Sequence, residues 1–276
     1  MNYFKYYGRI LIKKGGFITK KTRTSIKIFY SVIKALLLRE IQTRFGSQKL
    51  GYFWAVIEPM AMIIVFSIIH SHLGSKTPYN MIIFLAISFV TYNLYKDIII
   101  MNLNSFQSNK ALFVYKQVKP FDTLISRTLI EINIQIFVTI ILLIIAYYLN
   151  IEIKVKNLLY VLLSIIWLII FSFSLSLLFA VLSYFFENFA KIIKLIFLPM
   201  FFISGLFFTA KDLPDSIRNI LLYNPVLQFE EMIHGFFFYS LDDRYVNYLY
   251  LLFWTIIPLF VGLWLYKKSE KKIIMS

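Results

Sequence analysis

The sequence predicts an all-α integral membrane protein: six transmembrane helices, an N-terminal interfacial amphipathic helix, and a re-entrant helical hairpin between spans five and six. Three observations carry that prediction. Of 276 residues, 59% are hydrophobic and 19% aromatic, more apolar surface than one soluble core of this size can hide. The apolar residues gather into windows of about twenty, the length a helix needs to cross the hydrocarbon layer. The formal net charge is +15, and the basic residues stand beside those windows, which suits orientation in a bilayer rather than a soluble domain that grips nucleic acid.

Residues 1–24 read as a basic cytoplasmic tail, with Lys5, Arg9, Lys13, Lys14, Lys20, Lys21 and Arg23. No uninterrupted apolar core precedes a small-residue cleavage site, so no signal peptide is expected and the mature chain is expected to start near Met1. Over 25–50 the pattern turns amphipathic. Ile26, Phe29, Val32, Ile33, Leu36 and Leu37 share one helical face, and Lys27, Ser31 and Lys34 occupy the other. Such a helix suits the membrane interface, its alternative place being against another cytoplasmic domain.

Six windows follow, roughly 52–73, 79–101, 124–149, 158–186, 192–208 and 246–266. Lys and Arg near span ends prefer the cytoplasm, which places the N-terminus inside. The same side takes the loop after span two, with Lys110, Lys116, Lys119 and Arg127, and the basic tail 267–276, with Lys267, Lys268, Lys271 and Lys272. The outer connection between spans five and six holds Asp212, Asp215, Glu230, Glu231, Asp242 and Asp243 against Lys211, Arg218 and Arg244. Lys154 and Lys156 in the 149–157 loop dissent, partly balanced by Glu152.

Two stretches break the apolar pattern. In the first, Glu58 and Pro59 sit inside an apolar window, where a charge costs several kcal/mol and a proline removes a helix hydrogen bond. Glu58 then either faces a bundle interior or water-filled cavity, or anchors the helix by snorkelling or pairing, and Pro59 marks a join between interfacial and spanning helices. The second is the connection after span five. It is too apolar for a simple external loop, and Pro214, Asn224 and Pro225 forbid one continuous span. Two short helices dipping into the outer leaflet satisfy both constraints, the alternative being a hairpin resting on the surface. Glu230 and Glu231 are expected near its exit, staying solvated at the rim, the alternative being to repel an acidic glycan.

Enzyme chemistry finds no support. The chain lacks a G-x-x-x-x-G-K-[ST] phosphate loop, a G-x-S-x-G elbow and an H-E-x-x-H pair. It has no Cys, and His70, His72 and His234 lack metal-ligand spacing. No catalytic, cofactor or metal site is expected, and any energy source must come from a partner. Phe89, Tyr92 and Tyr95 are candidates for stacking on a sugar, against the commoner lipid-facing role. An ATP-independent channel and a membrane-embedded transferase stay open at the level of residues.

Leu36 to Pro59 ("LLLREIQTRFGSQKLGYFWAVIEP"), Asn109 to Pro120 ("NKALFVYKQVKP") and Phe201 to Phe237 ("FFISGLFFTAKDLPDSIRNILLYNPVLQFEEMIHGFF") resemble ABC-2 type permeases that export polysaccharides, most closely the capsular polysaccharide branch. The resemblance implies a permease homodimer, with no enzyme activity of its own, bound to two separate ABC ATPase subunits that carry ATP and Mg. It implies a six-span domain over 51–266, with a coupling loop at about 102–123 and periplasmic gate helices at about 212–240. Coupling would draw on Ser105, Asn109, Lys110 and Leu112, and the gate on Pro214, Asn224, Pro225, Glu230 and Glu231. A lipid-linked polysaccharide would cross the bacterial inner membrane at the dimer interface, among membrane lipids. A periplasmic co-polymerase and an outer-membrane translocator would continue the route. O-antigen and teichoic-acid exporters are the nearest rivals within this class.

Overall fold

The computed structural model describes residues 25–45, 51–72 and 77–275. The basic tail 1–24 and the end of the interfacial segment, 46–50, lie outside the described residues. Everything regular among them is helical: α1 (Ser25–Phe45), α2 (Gly51–His72), α3 (Met81–Leu103), α4 (Ser105–Ser108), α5 (Pro120–Tyr148), α6 (Leu158–Phe185), α7 (Phe189–Ile203), α8 (Asp215–Leu221), α9 (Pro225–Phe237) and α10 (Tyr248–Met275), with single 3₁₀ turns at Lys110–Leu112 and Ala210–Asp212. Helices satisfy their own backbone groups, the condition for placing a chain in hydrocarbon.

Each expected window forms a helix. Four described helices, α3, α5, α6 and α10, are long and apolar enough to cross a membrane. Helix α2 has 22 residues and carries Glu58 and Pro59 within an apolar sequence, and α7 has 15 residues. Pro59 lies inside α2, which begins upstream at Gly51 and runs unbroken to His72. The expected join at Glu58-Pro59 is therefore corrected: the proline is accommodated within one helix.

The sequence sets the helix starts. Asn80 caps α3, its side chain accepting from the amides of Ile82 and Ile83 at 3.0 and 3.4 Å. Pro120 occupies the first turn of α5, where its missing N–H costs nothing, and the Asp122 carboxylate accepts from the Lys119 amide at 3.0 Å. Asn224 and Pro225 repeat the device at α9.

Helix α3 is the central element, packed against α2, α5, α6, α7 and α9. Its Phe89, Tyr92 and Tyr95 lie in the main core with Leu168 and Phe171 of α6, Phe197 of α7 and Phe229 of α9. Apolar burial drives little association between helices already in lipid, so close packing and interhelical hydrogen bonds must do it. The buried Ser172, Ser174 and Ser176 narrow α6. Gly262 narrows α10: a Cβ there would meet Leu177 Cγ and the Leu178 amide at 3.1 Å. Across the bundle, Asn102 Nδ2 donates to Thr128 Oγ1 at 3.0 Å and Ser176 Oγ at 3.1 Å, joining α3, α5 and α6. Trp167 Nε1 donates to Thr255 Oγ1 at 3.0 Å, joining α6 and α10.

The bundle has two unlike ends. At one end α1 packs on α5 and its Arg39 reaches Asn109 in the α3–α5 loop, while Tyr266 packs on Phe121 at the start of α5. The C-terminal lysines of α10 lie at this end too, Lys272 over the Phe185 ring. At the other end the 149–157 loop pairs with the end of α9, Lys156 N donating to Phe237 O at 2.9 Å and Asn157 N to Phe236 O at 3.0 Å. Among the described residues, the basic loop after α3 and the basic end of α10 thus share the end where α1 lies.

Candidate functional site

The connection 204–247 is built around α9, whose every residue from Val226 to Gly235 is buried. Asn224 starts it: Oδ1 accepts from the Val226 amide at 3.0 Å, while Nδ2 donates to Ile203 O at 3.2 Å and Ser204 Oγ at 3.0 Å. One side chain therefore fixes the end of α7 to the start of α9. Gln228 donates to Leu222 O at 2.6 Å and accepts from the Asn247 amide at 2.8 Å, holding α8 and the approach to α10. Pro214 precedes α8 as its cap residue.

Glu230 and Glu231 contradict the expectation of a solvated rim. Glu230 is 0% exposed, and the Thr91 hydroxyl of α3 lies 2.8 Å from each of its oxygens. Burial pushes its carboxyl well above the usual range, against the pull of Thr91. Glu231 accepts from the Ala210 amide at 2.6 Å. Burial raises it to about 7, opposed by that amide and reinforced by Asp212 and Asp242. Both carboxyls sit inside because partners from α3 and the 3₁₀ turn replace water. His234 stacks on Phe84 at 4.1 Å between centroids and shares a 2.9 Å hydrogen bond with Ser88 Oγ. Burial lowers it to about 3, so it is neutral and its 3.9 Å approach to Glu230 is not an ion pair.

At the other end, the four residues expected for coupling divide. Ser105 is 0% and Asn109 3% exposed, whereas Lys110 is exposed and Leu112 half-buried. The open tip is Val114, 83% exposed, with Tyr115, 60% exposed. Two large apolar side chains thus stand exposed side by side on a basic loop.

Glu58 is exposed on α2 while Pro59 beside it is buried, so the carboxylate points away from the protomer's own core. Two further acids lie inside spans. Asp97 of α3 is 3.6 Å from Lys96 Nζ and within electrostatic reach of Glu58 and Glu131; Glu131 of α5 is 3% exposed. The signal for both was present, since an ionisable residue in an apolar window is noteworthy by type alone. Phe89, Tyr92 and Tyr95 are 1%, 1% and 6% exposed; Tyr95 stacks on Phe171 at 5.7 Å and Tyr92 donates to Phe197 O at 2.9 Å. Packing accounts for all three, in place of a stacking role on a sugar.

Among the described residues no group of three or more His, Cys, Asp or Glu could hold a metal ion. The described residues form a helical membrane protein with a closed connection at one end and a basic loop with exposed apolar side chains at the other. Residues 31–238 match the ABC-2 type transporter family, and the chain belongs to that family. It is similar to the polysialic acid transport protein KpsM of Escherichia coli, 30% identical over 92% of this chain and 99% of that one. It is also similar to the capsule polysaccharide export inner-membrane protein CtrC of Neisseria meningitidis, 26% identical over 90% and 95% of the two chains. The O-antigen export system permease protein RfbA of Klebsiella pneumoniae is 22% identical over 91% and 96%.

Proposed function

We propose that this chain is the permease subunit of an ABC exporter that moves lipid-linked capsular polysaccharide across the bacterial inner membrane. The observation that carries the reading is the 30% identity with KpsM across 99% of that protein's length. Lower identity with RfbA, at 22%, ranks O-antigen export below capsule export. In this reading α2, α3, α5, α6, α7 and α10 are the six spans, both termini are cytoplasmic, and α8 and α9 form a re-entrant outer gate. Two copies pair, two ATPase subunits bring ATP and Mg, and a periplasmic co-polymerase and outer-membrane translocator receive the product. The loop tip at Val114 and Tyr115 docks on the ATPase, supported by its apolar exposure. Glu58 faces the second copy and the path between the two, supported by its outward placement in an apolar helix.

The test is removal of the chain from an encapsulated cell. Surface capsule should disappear while lipid-linked capsular glycan accumulates on the cytoplasmic leaflet, and a tagged copy should restore export and bring an ATPase with it on purification. Undiminished surface capsule without the chain would end this reading. For Glu58, replacement by Gln should impair export more than replacement by Asp, because only Asp keeps the charge; equal and full export from both would leave an anchoring role.

A further inference from the structure

Helix α1 is tied to the α3–α5 loop by more than its apolar face. Val32, Ile33 and Leu36 are buried, which is what an anchoring helix needs. Its polar side adds two contacts. Arg39 Nη1 donates to Asn109 Oδ1 at 2.8 Å, and Asn109 Nδ2 donates to Ser105 O at 2.9 Å. One residue on, Glu40 pairs with Arg127 of α5 at 3.1 Å, the two side chains 13% and 11% exposed. The same guanidinium donates from Nη1 to Met101 O at 2.7 Å and from Nη2 to Ser108 Oγ at 2.8 Å. Arg127 thus spends a rigid planar fork on α1, the end of α3, and α4 at once.

The Glu40–Arg127 ion pair has little access to water and is weakly screened, whereas Arg39 is exposed and its hydrogen bond fixes Asn109 mainly in position. The Arg39 contact ends on Asn109 directly, and the Glu40 contact reaches Met101 and Ser108 through Arg127, just ahead of the exposed loop tip. An anchor alone requires neither.

We propose that Arg39–Asn109 and Glu40–Arg127 are positioning contacts for transport: they make α1 move as one body with the 101–119 segment, so that a displacement imposed on the loop reaches α2, the next helix in the chain, through α1. This rests on the reading of the loop as the ATPase dock. Two-state coupling of that kind needs an element that both sites bias, and α1 touches both α2 and α5.

The test uses the whole permease–ATPase complex in native-lipid vesicles. Glu40→Gln keeps size and a hydrogen-bonding oxygen and removes the charge. Glycan exported per ATP hydrolysed should fall by about tenfold, the scale of losing one charge-assisted contact, with ATPase recovery and hydrolysis within about twofold. A parallel loss of recovery, hydrolysis and export would mark a contact that only holds the fold, and unchanged export per ATP would mark one that does nothing; either overturns the proposal. Because the chain has no Cys, Arg39→Cys with Asn109→Cys gives a second reading. Export should be low in the unlinked pair and recover when a short bis-maleimide joins the thiols. A linked protein no better than the unlinked one overturns the proposal. A wild-type complex that neither recruits an ATPase nor exports would instead sink the functional reading beneath it.

Discussion

The connection 204–247 and the loop 104–119 carry similar mixtures of apolar and polar residues, and the bundle treats them in opposite ways. The connection folds inward. Glu230 and His234 find partners on α3, Glu231 on the 3₁₀ turn, Asn224 on α7, and several carbonyls at the end of α9 on the 149–157 loop, and α9 is buried along its length. The loop folds outward, burying Ser105 and Phe106 and leaving Val114 and Tyr115 standing free. A segment satisfied internally must move as a unit if it moves, whereas one with open apolar tips is completed only by something else. The gate and dock proposed above are distinguished by where their polar groups are satisfied.

That contrast can be broken experimentally, with the largest effect expected at Gly235. A Cβ there would lie 2.8 Å from the Asp242 carbonyl carbon and 2.9 Å from the Asp243 nitrogen, backbone that cannot step aside. Gly235→Leu should lower the thermal midpoint in detergent sharply and Gly235→Ala less, by about 1–3 kcal/mol for the smaller change. A wild-type midpoint in both would mean that the inward packing is loose.

Protonation comes next. Glu231 is raised from 4.5 to about 7 on folding, so the folded protein holds this proton more tightly than the unfolded chain. Its contribution is full below 4.5, where both forms are protonated, and is lost as pH rises through about 7. The thermal midpoint should therefore fall across that window, and Glu231→Gln should flatten the fall; an equal slope in the variant would show that another group titrates. Lys156→Ala should cost about 1 kcal/mol, since its ammonium donates to Gly235 O at 3.0 Å and Leu241 O at 3.1 Å while remaining partly in water. Guanidinium melts of the two proteins would measure it. The smallest stability effect belongs to the loop. Val114→Asp should leave the midpoint unchanged yet abolish recovery of the ATPase, and a destabilised variant would mean that the tip is packed after all.

The helices were legible because the signals that made them are local: windows of apolar length, Pro120 and Pro225 at first turns, Asn80 and Asn224 ahead of them. The grouping of the basic 104–119 loop with the basic end of α10 was legible from charge alone. Solvation of Glu230 and Glu231 was not, because it depends on Thr91 and Ala210, partners 139 and 21 residues away. Spacing along one helix cannot reveal them. Pro59 misled for a related reason: a proline reads locally as a break, yet α2 continues through it, one face packed with Val56 and Ile63 buried. Asp97 and Glu131 were visible by type, and Arg127 was counted as a topology charge when its fork was already committed to three elements.

Lys156 has a consequence in time as well as space. In the proposed orientation it belongs to an external loop, where a cation runs against the usual bias, and its receiving carbonyls belong to Gly235 and Leu241, 79 and 85 residues further along the chain. During synthesis the α5–α6 pair must therefore carry this charge across the bilayer well before the segment that receives it has left the ribosome. Insertion of the early helices and closure of the outer connection are separate events, and the lysine marks the interval between them. A ribosome stalled before α9 should leave the amine free of these two carbonyls, and a membrane-impermeant reagent should then reach it faster than in the finished protein, where Gly235 O and Leu241 O hold it.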